Sequence, residues 1–190
     1  MTAGGLAAPG ARAVLYGTGS HADGSELPGL PSVDTTLDAL ERTLTGVCGM
    51  DPAQIVRVPA HAGAAEVVDA VEDAAAAADG PLLFYYVGHG LLGPRDDLYL
   101  ATRDSRSARH VARSVSYRTI RDLLGVRGDG SLVVLDCCFS GRGDTPPAEG
   151  GVRRAFATAG PRGSFLLSSA SHYALSFAPE GERYTLFSGR

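Results

Sequence analysis

Two adjacent cysteines are the first candidates for chemistry in this sequence. Cys137 and Cys138 follow an apolar run in the stretch LVVLDCCFSG, and the chain has one further cysteine, Cys48. Neighbouring cysteines rarely bridge each other because the geometry is strained, and a redox pair normally has two residues between its cysteines. A metal site needs further ligands at suitable spacing, and none is found. Two interpretations remain, a buried packing residue and a nucleophilic thiol.

His89 is the residue that could activate such a thiol. It lies between Gly88 and Gly90, directly after the apolar run PLLFYYV. A nearby imidazole can accept the thiol proton and so generate the reactive thiolate. The glycines let a substrate approach the backbone, and the Gly90 N–H is a candidate donor to an oxyanion. The alternative for His89 is a turn histidine whose ring has a satisfied hydrogen bond.

The apolar pattern places both groups at the ends of predicted strands. Because ligand chemistry in open α/β sheets lies at the carboxyl ends of strands, we expect His89 and the cysteine pair to meet at one edge. Strands that alternate with helices predict an α/β fold whose mainly parallel sheet is covered on both faces. Ser32 is expected to cap the first helix. The predicted strands are 12–17, 54–59, 81–88, 131–136 and 164–171, with a hairpin arm at 96–102, and later helices are 63–79 and 117–125.

Length and composition limit the possible classes of protein. The chain of 190 residues fits one domain, which we place at 12–190 after a flexible, Gly/Ala/Pro-rich stretch at 1–11. The net charge of −4 gives no footprint for nucleic acid. All 17 basic residues are arginine, which excludes lysine nucleophiles. No signal-peptide pattern or membrane-length apolar run is found, and three cysteines cannot form a fully paired framework, so a cytoplasmic protein without membrane partners is predicted.

The stretches YYVGHG, 85–90, and LDCCFSG, 135–141, resemble the caspase and metacaspase family, in particular the caspase-like domains of bacterial conflict and defence systems. The family pattern is an apolar strand ending in His-Gly, followed by a strand ending in Asp-x-Cys-x-Ser-Gly. The resemblance implies a three-layer fold with a mainly parallel central sheet flanked by helices. It also implies a cysteine endopeptidase that uses a Cys-His dyad, requires no cofactor and acts on protein or peptide substrates.

The resemblance also assigns the catalytic residues. The nucleophile of the family is the residue two after the aspartate, here Cys138, and His89 transfers the protons. Because successive side chains of a strand point to opposite faces, Cys137 is expected to face the core and Cys138 the cleft. The backbone N–H groups of Gly90 and Cys138 are expected to bind the oxyanion. No third orienting side chain is assigned.

Cleavage after arginine or lysine is the specificity that the resemblance implies. Metacaspases read a basic residue with acidic side chains, and Asp136 and Asp34 match two of those substrate-binding positions. A carboxylate pairs well with a guanidinium or ammonium group. The alternatives are a first-turn carboxylate favoured by the helix dipole for Asp34 and a turn cap for Asp136. Val87 stands where metacaspases often have serine, so that polar contact is not carried over.

The family often has an activation loop at the position of 141–154. Arg142, Arg153 and Arg154 are therefore candidate processing sites. The family fold normally continues past Arg190, so processing at Arg190 or a shortened domain is a hypothesis. A C-terminal fragment or a regulatory protein is then an expected partner.

Calcium is the one metal that the resemblance suggests. Some metacaspases bind activating calcium through acidic residues in the region of Asp96, Asp97 and Asp104. A solvated hairpin is the alternative, and no metal ligand is assigned.

The predicted role is that of an effector or processing protease in bacterial defence or regulated proteolysis, and this role rests on resemblance alone. A catalytically silent caspase-like scaffold that binds partner proteins is the alternative, against which the intact Cys138 and His89 argue. A different α/β enzyme with a nucleophilic thiol, such as an acyltransferase, is a third hypothesis.

Overall fold

The computed structural model describes residues 5–93, 97–108, 110–125, 130–140 and 164–168, with the backbone alone at 138–140, 164, 165 and 168. Helices and strands alternate along most of this chain. The strands are β1 Arg12–Gly17, β2 Ile55–Arg57, β3 Leu82–Leu92, β4 Leu98–Leu100, β5 Val115–Ser116, β6 Ser131–Ser140 and β7 Ser164–Ser168. The helices are α1 Ser32–Gly46, α2 Ala64–Ala77 and α3 Tyr117–Gly125.

Strand β3 is the centre of the sheet. Along one edge, its first half pairs in parallel with β1, from Arg12↔Leu82 to Gly17↔Val87, and β1 in turn pairs with β2. Where β1 ends, the antiparallel strand β4 takes over the same edge of β3. The other edge of β3 pairs in parallel with β6, and β6 pairs with β7. The sheet is therefore mainly parallel, with an antiparallel extension of β4 and β5.

Apolar clusters on the two faces of the sheet create three layers. Helix α1 covers one face, where Leu37 packs with Leu15 and Leu83. Helices α2 and α3 cover the other face, where Val71 and Ile120 join the cluster. This arrangement confirms the predicted α/β fold class with a sheet between helices.

The end of β3 is longer than predicted. The sequence suggested a strand that stops before His89, but β3 continues to Leu92. The reason is that its last residues have neighbours on both edges, β4 on one side and β6 on the other. His89 thus lies inside a paired strand and not in a turn.

The start of α1 also differs from the prediction. Ser32 was expected to cap this helix, but it is the first helical residue, and the capping position is occupied by Pro31 without a side-chain cap. The Ser32 hydroxyl is buried and has no hydrogen-bond partner among the described residues. Val33 packs in the core instead, so packing and the fixed φ of proline set the start of the helix.

The described part of the N-terminal segment is in contact with the domain. Leu6 packs against the α1-side cluster, and the Gln54 side chain donates to the carbonyls of Ala8, at 3.1 Å, and Pro9. The flexibility of residues 1–11 stays a prediction.

Candidate active site

The pairing of β3 with β6 brings the two predicted catalytic positions together. In the parallel register, His89 is the partner of Cys138, between the pairs Gly88↔Cys137 and Gly90↔Phe139. Paired strands lie about 4.8 Å apart, so the backbones of His89 and Cys138 are direct neighbours. The pairing of β3 with β1 stops at Gly17↔Val87, two residues before His89. The two predicted catalytic residues therefore lie where β3 and β6 extend past the end of β1, at the carboxyl edge that the topology predicted.

The ring of His89 is buried and oriented by a backbone carbonyl. Only 3% of the residue is exposed, and Nε2 lies 2.8 Å from the carbonyl oxygen of Pro28. A carbonyl can only accept, so Nε2 carries the proton and Nδ1 carries the lone pair of the neutral ring. Pro28 is an orienting group that the sequence analysis missed, because a backbone acceptor leaves no signal in side-chain types.

Burial lowers the pKa of His89 below its ordinary value of 6.5. The hydrogen bond to Pro28 raises this pKa in part, and the neighbouring His21 lowers it. At neutral pH the imidazole is therefore in its neutral form, with its one proton on Nε2. That is the state in which it can accept a proton from a thiol.

Tyr86 fixes the backbone of His89 from the opposite face. Its hydroxyl lies 2.9 Å from the carbonyl oxygen of His89 and 3.0 Å from that of Ala101, and it shares one proton between them. A Cβ atom on Gly88 would lie 2.6 Å from this hydroxyl. Gly88 therefore makes room for the tyrosine.

The N–H of Gly90 points toward β6. The Ala101 N–H donates to the His89 carbonyl at 2.9 Å, so His89 faces β4 and Gly90 faces the other edge of β3. This is the side on which Cys138 lies. The register continues to Leu91↔Ser140, so Gly90 lies within the paired region.

The structure describes the side chain of Cys137 but only the backbone of Cys138. Cys137 is buried in the cluster under α2 and α3, as expected for a packing residue. The side chain of Cys138 lies outside the described atoms, so its orientation toward the cleft stays a prediction.

Asp136 is buried on the α1 face. Only 2% of it is exposed, and Tyr85 donates to its Oδ2 at 3.2 Å. It pairs with Val87 in the register, two residues before Cys138. This carboxylate is thus held by a tyrosine hydroxyl close to the candidate dyad.

Asp34 lies in the first turn of α1, which begins close to Gly17 at the end of β1 and to Val87 of β3. A Cβ atom on Gly17 would lie 2.6 Å from Val87 Cγ1 and 2.9 Å from Val33 Cγ1. The Asp34 side chain is 76% exposed and lies 3.8 Å from the Arg57 guanidinium. The two aspartates therefore share a face of the sheet, but one is buried and the other is in solvent.

Arg57 is surrounded by acidic groups. Besides Asp34, it contacts Asp38 and lies 3.6 Å from Glu41. This cluster of three carboxylates and one guanidinium therefore carries more negative than positive charge.

His21 is a second missed residue. It follows β1 in the chain, and its ring centroid lies 5.6 Å from that of His89. No sequence pattern links His21 to His89, because their contact depends on how the loop after β1 folds back over β3.

Several other predictions fall on residues that the structure does not describe. Arg142, Arg153, Arg154 and Arg190 lie outside the described ranges, as does Asp96. Within those ranges, no group of three potential ligands converges to hold a metal ion, and the calcium site that the resemblance suggests, without assigned ligands, is not tested. None of the described helices is long and apolar enough to span a membrane.

Comparison with known families decides the wider identity of the chain. The family model for the caspase domain matches residues 20–189. The chain belongs to the caspase-domain family. This confirms the resemblance inferred from YYVGHG and LDCCFSG, while no curated protein matches the chain.

Family membership supports a cysteine peptidase in general terms. The family is one of cysteine peptidases, and protein substrates are implied for it. The stretches that resemble the family's histidine and cysteine motifs, 85–90 and 135–140, lie on β3 and β6, the two strands that pair most extensively among the described residues.

Proposed function

We propose that this caspase domain is a cysteine endopeptidase that uses a dyad of Cys138 and His89. The observation that carries the proposal is the pairing of these two residues across β3 and β6. The Pro28 carbonyl supports it, because it fixes the His89 tautomer whose Nδ1 can accept a proton. The burial of His89 supports the proposal as well. Burial lowers the pKa of the imidazole, so that a neutral base is available at pH 7.

The proposed reaction has two halves. His89 Nδ1 takes the Cys138 proton, and the thiolate forms a bond to the scissile carbonyl carbon. The tetrahedral oxyanion is stabilised by the N–H groups of Gly90 and Cys138. Collapse breaks the C–N bond as His89 returns its proton to the leaving amine, and a water activated by His89 then hydrolyses the thioester. The Pro28 carbonyl stabilises the imidazolium that forms in each half.

Oxyanion binding requires that the Gly90 N–H, at the carboxyl end of β3, be accessible to the substrate. The Gly90 N–H faces β6 within a register that runs to Ser140. A substrate oxygen reaches this N–H only when the carboxyl ends of β3 and β6 separate. Opening of the paired ends is therefore part of the proposed activation.

Arginine or lysine before the scissile bond is the proposed specificity. Asp136 supports this, because it supplies a buried carboxylate near the dyad on the α1 face. Asp34 supports it as the outer carboxylate, since the surface around Arg57 carries three acidic side chains. A basic side chain is favoured there by charge-assisted pairing.

A role as an effector in bacterial defence or in regulated proteolysis is proposed from the sequence resemblance alone. The same holds for processing at Arg142, Arg153 or Arg154 and for a regulatory partner, and each of these depends first on whether the domain cleaves peptides. A cytoplasmic location is proposed separately, because three cysteines cannot form a fully paired disulfide framework.

The experiment compares fluorogenic peptides with Arg, Lys or Asp before the scissile bond, with and without added calcium. Cys138→Ala is the test variant and Cys137→Ala its matched control. We expect cleavage after Arg and Lys that disappears in Cys138→Ala and persists in Cys137→Ala. Cleavage after Asp would contradict the roles of Asp34 and Asp136, and equal loss in both variants would contradict the assignment of the nucleophile.

A catalytically silent scaffold is the second candidate. The observation in its favour is the continuous pairing of β3 with β6 through Ser140, which keeps the Gly90 N–H inside the sheet. An electrophilic peptide probe distinguishes the two candidates. Labelling of Cys138 supports the peptidase, and a failure to label it together with no turnover supports the scaffold.

A further inference from the structure

His21 is a second imidazole in contact with the proposed base. The ring planes of His21 and His89 meet at 34°, with centroids 5.6 Å apart, which is within the contact range of ring pairs. His21 Nδ1 lies 3.0 Å from the carbonyl oxygen of Thr102. Because the carbonyl only accepts, Nδ1 carries the proton and Nε2 of the neutral ring carries the lone pair.

The environment of His21 disfavours a second proton. Its Nε2 atom is buried and has no hydrogen-bond partner among the described residues. A proton on this atom would lack an acceptor and would put a positive charge beside His89. Burial lowers the pKa of His21, while the Thr102 carbonyl raises it in part. Geometry and burial therefore both keep His21 neutral.

The acceptor of His21 is itself held in place by a buried polar network. The Thr102 N–H donates to Ser105 Oγ at 2.9 Å, and the Thr102 hydroxyl donates to the carbonyl of Arg113 at 2.7 Å. Ser105 Oγ also lies 2.7 Å from Ser114 Oγ. These bonds are internal to the segment 102–114, so Thr102 offers His21 a fixed anchor.

The loop that carries His21 also carries Pro28, and it is tied to the same segment. The Ala22 N–H donates to the Arg103 carbonyl at 2.9 Å, and the Glu26 N–H donates to the Arg106 carbonyl at 2.7 Å. Ser25 Oγ donates to the Ser105 carbonyl at 2.9 Å. The His21 ring and the Pro28 carbonyl thus approach His89 from one anchored loop.

We propose that His21 is a positioning residue for His89: anchored on the Thr102 carbonyl, its neutral ring packs against His89 and holds that imidazole on the Pro28 carbonyl, with Nδ1 available to Cys138. The proposal rests on the proposed peptidase function, for which it names a residue that acts through the base. It assigns His21 no contact with the substrate. His21 therefore affects the rate of proton transfer and leaves substrate binding unchanged.

Three substitutions separate the two contacts of His21. His21→Phe keeps a ring against His89 but loses the donor to Thr102, His21→Asn keeps a donor near Nδ1 but loses the ring, and His21→Ala loses both. His61→Ala is the matched control, since His61 is an exposed histidine in the turn before α2. The measurements are kcat and KM on the preferred peptide, the alkylation rate of Cys138 by iodoacetamide from peptide mapping, and thermal unfolding.

The expected result is a loss in kcat without a loss in binding. Misplacement of a catalytic group by about 1 Å costs about 100-fold in rate, so His21→Ala is expected to lower kcat by about 10- to 100-fold with KM within about two-fold. Alkylation of Cys138 should slow in parallel, because thiolate formation depends on His89. His21→Phe and His21→Asn should each recover part of the loss, and His61→Ala should match the wild type.

Other outcomes overturn the proposal. An unchanged kcat in folded His21→Ala, or a rise in KM alone, would show that His21 does not position the base. If His21→Ala unfolds, the kcat of the folded Phe and Asn variants decides in the same way. If the wild type cleaves no peptide, the proposed function has failed, and the alkylation rate of Cys138 still decides: a slower rate in the His21 variants supports the positioning role, and an equal rate overturns it.

Discussion

The two halves of strand β3 are built differently. The first half lies between β1 and β6, and its side chains are buried in the apolar clusters of the two faces, with Phe84 on the α2 and α3 side and Leu83 on the α1 side. The second half lies between β4 and β6 and contains Gly88, His89 and Gly90. There the polar groups of His89 are satisfied by the Pro28 carbonyl, from the loop after β1, and by the hydroxyl of Tyr86, from the first half of β3. The first half joins β1 and β6 in the core of the sheet. The second half continues from this packed region and carries the buried base, His89.

The largest effects are expected from removing one side chain in each half of β3, with activity lost in one case and stability in the other. His89→Ala is expected to lower kcat/KM by about 1,000-fold or more, since it removes the general base. Phe84→Ala in the first half is expected to lower the free energy of unfolding by about 3–5 kcal/mol, because it opens a cavity in a fully buried site. Peptide turnover and urea unfolding of both variants check this.

That comparison would break if the effects were exchanged. A folded Phe84→Ala that loses turnover as completely as His89→Ala would mean that catalysis depends on general rigidity. A His89→Ala variant that keeps its turnover would remove His89 from the mechanism.

A smaller effect is expected from Gly88, the first residue of the second half. Gly88→Ala places a Cβ atom 2.6 Å from the Tyr86 hydroxyl, at a φ of +155°, and overpacking of this kind costs about 1–3 kcal/mol. Part of that cost should disappear in the Tyr86→Phe background, because the clashing oxygen is then absent, while the ring carbon Cζ at 3.0 Å and the positive φ still disfavour the Cβ atom. The measurement is a double-mutant cycle of unfolding free energies.

Gly46→Ala is the control for this cycle, since a Cβ atom there meets nothing within 4 Å. Additive effects of Gly88→Ala and Tyr86→Phe would contradict the contact between Gly88 and the tyrosine hydroxyl.

The sequence predicted the first half of β3 better than the second. An apolar run is a local signal, so Leu82–Val87 could be recognised as a strand without knowledge of its neighbours. The meeting of His89 with Cys138 was also predictable, because parallel strands share a carboxyl edge. The extension of β3 to Leu92 was not, since it depends on pairing with β4.

The groups that orient His89 were missed for a physical reason. Pro28 acts through its carbonyl, which every residue has, so its type carries no signal. His21 is positioned by a bond to Thr102 across 81 residues of sequence. Ser32 failed as a predicted cap because core packing of its neighbour Val33 outweighed a local preference. Local patterns predict elements, but contacts between loops decide how a side chain is oriented.

The smallest expected effect is a pH dependence of stability that arises in the second half of β3 alone. Burial lowers the pKa of His89 in the folded state below its ordinary value of 6.5. Below that pH the unfolded chain binds more protons at this position than the folded protein does, so falling pH favours unfolding. The contribution of His89 to stability is fully present above about pH 6.5 and is lost as the pH falls toward its folded-state pKa.

Urea unfolding of the wild type and His89→Phe at pH 7.5, 6.5 and 5.5 measures this contribution. One histidine changes the free energy of unfolding by at most about 1.4 kcal/mol per pH unit. We expect the wild type to lose more stability than His89→Phe between pH 6.5 and 5.5, and His61→Phe, at an exposed site, to follow the wild type. Equal losses in the wild type and His89→Phe would mean that His89 takes up a proton in the folded state as readily as in the unfolded chain. The orientation by Pro28 would then not depend on a buried neutral ring.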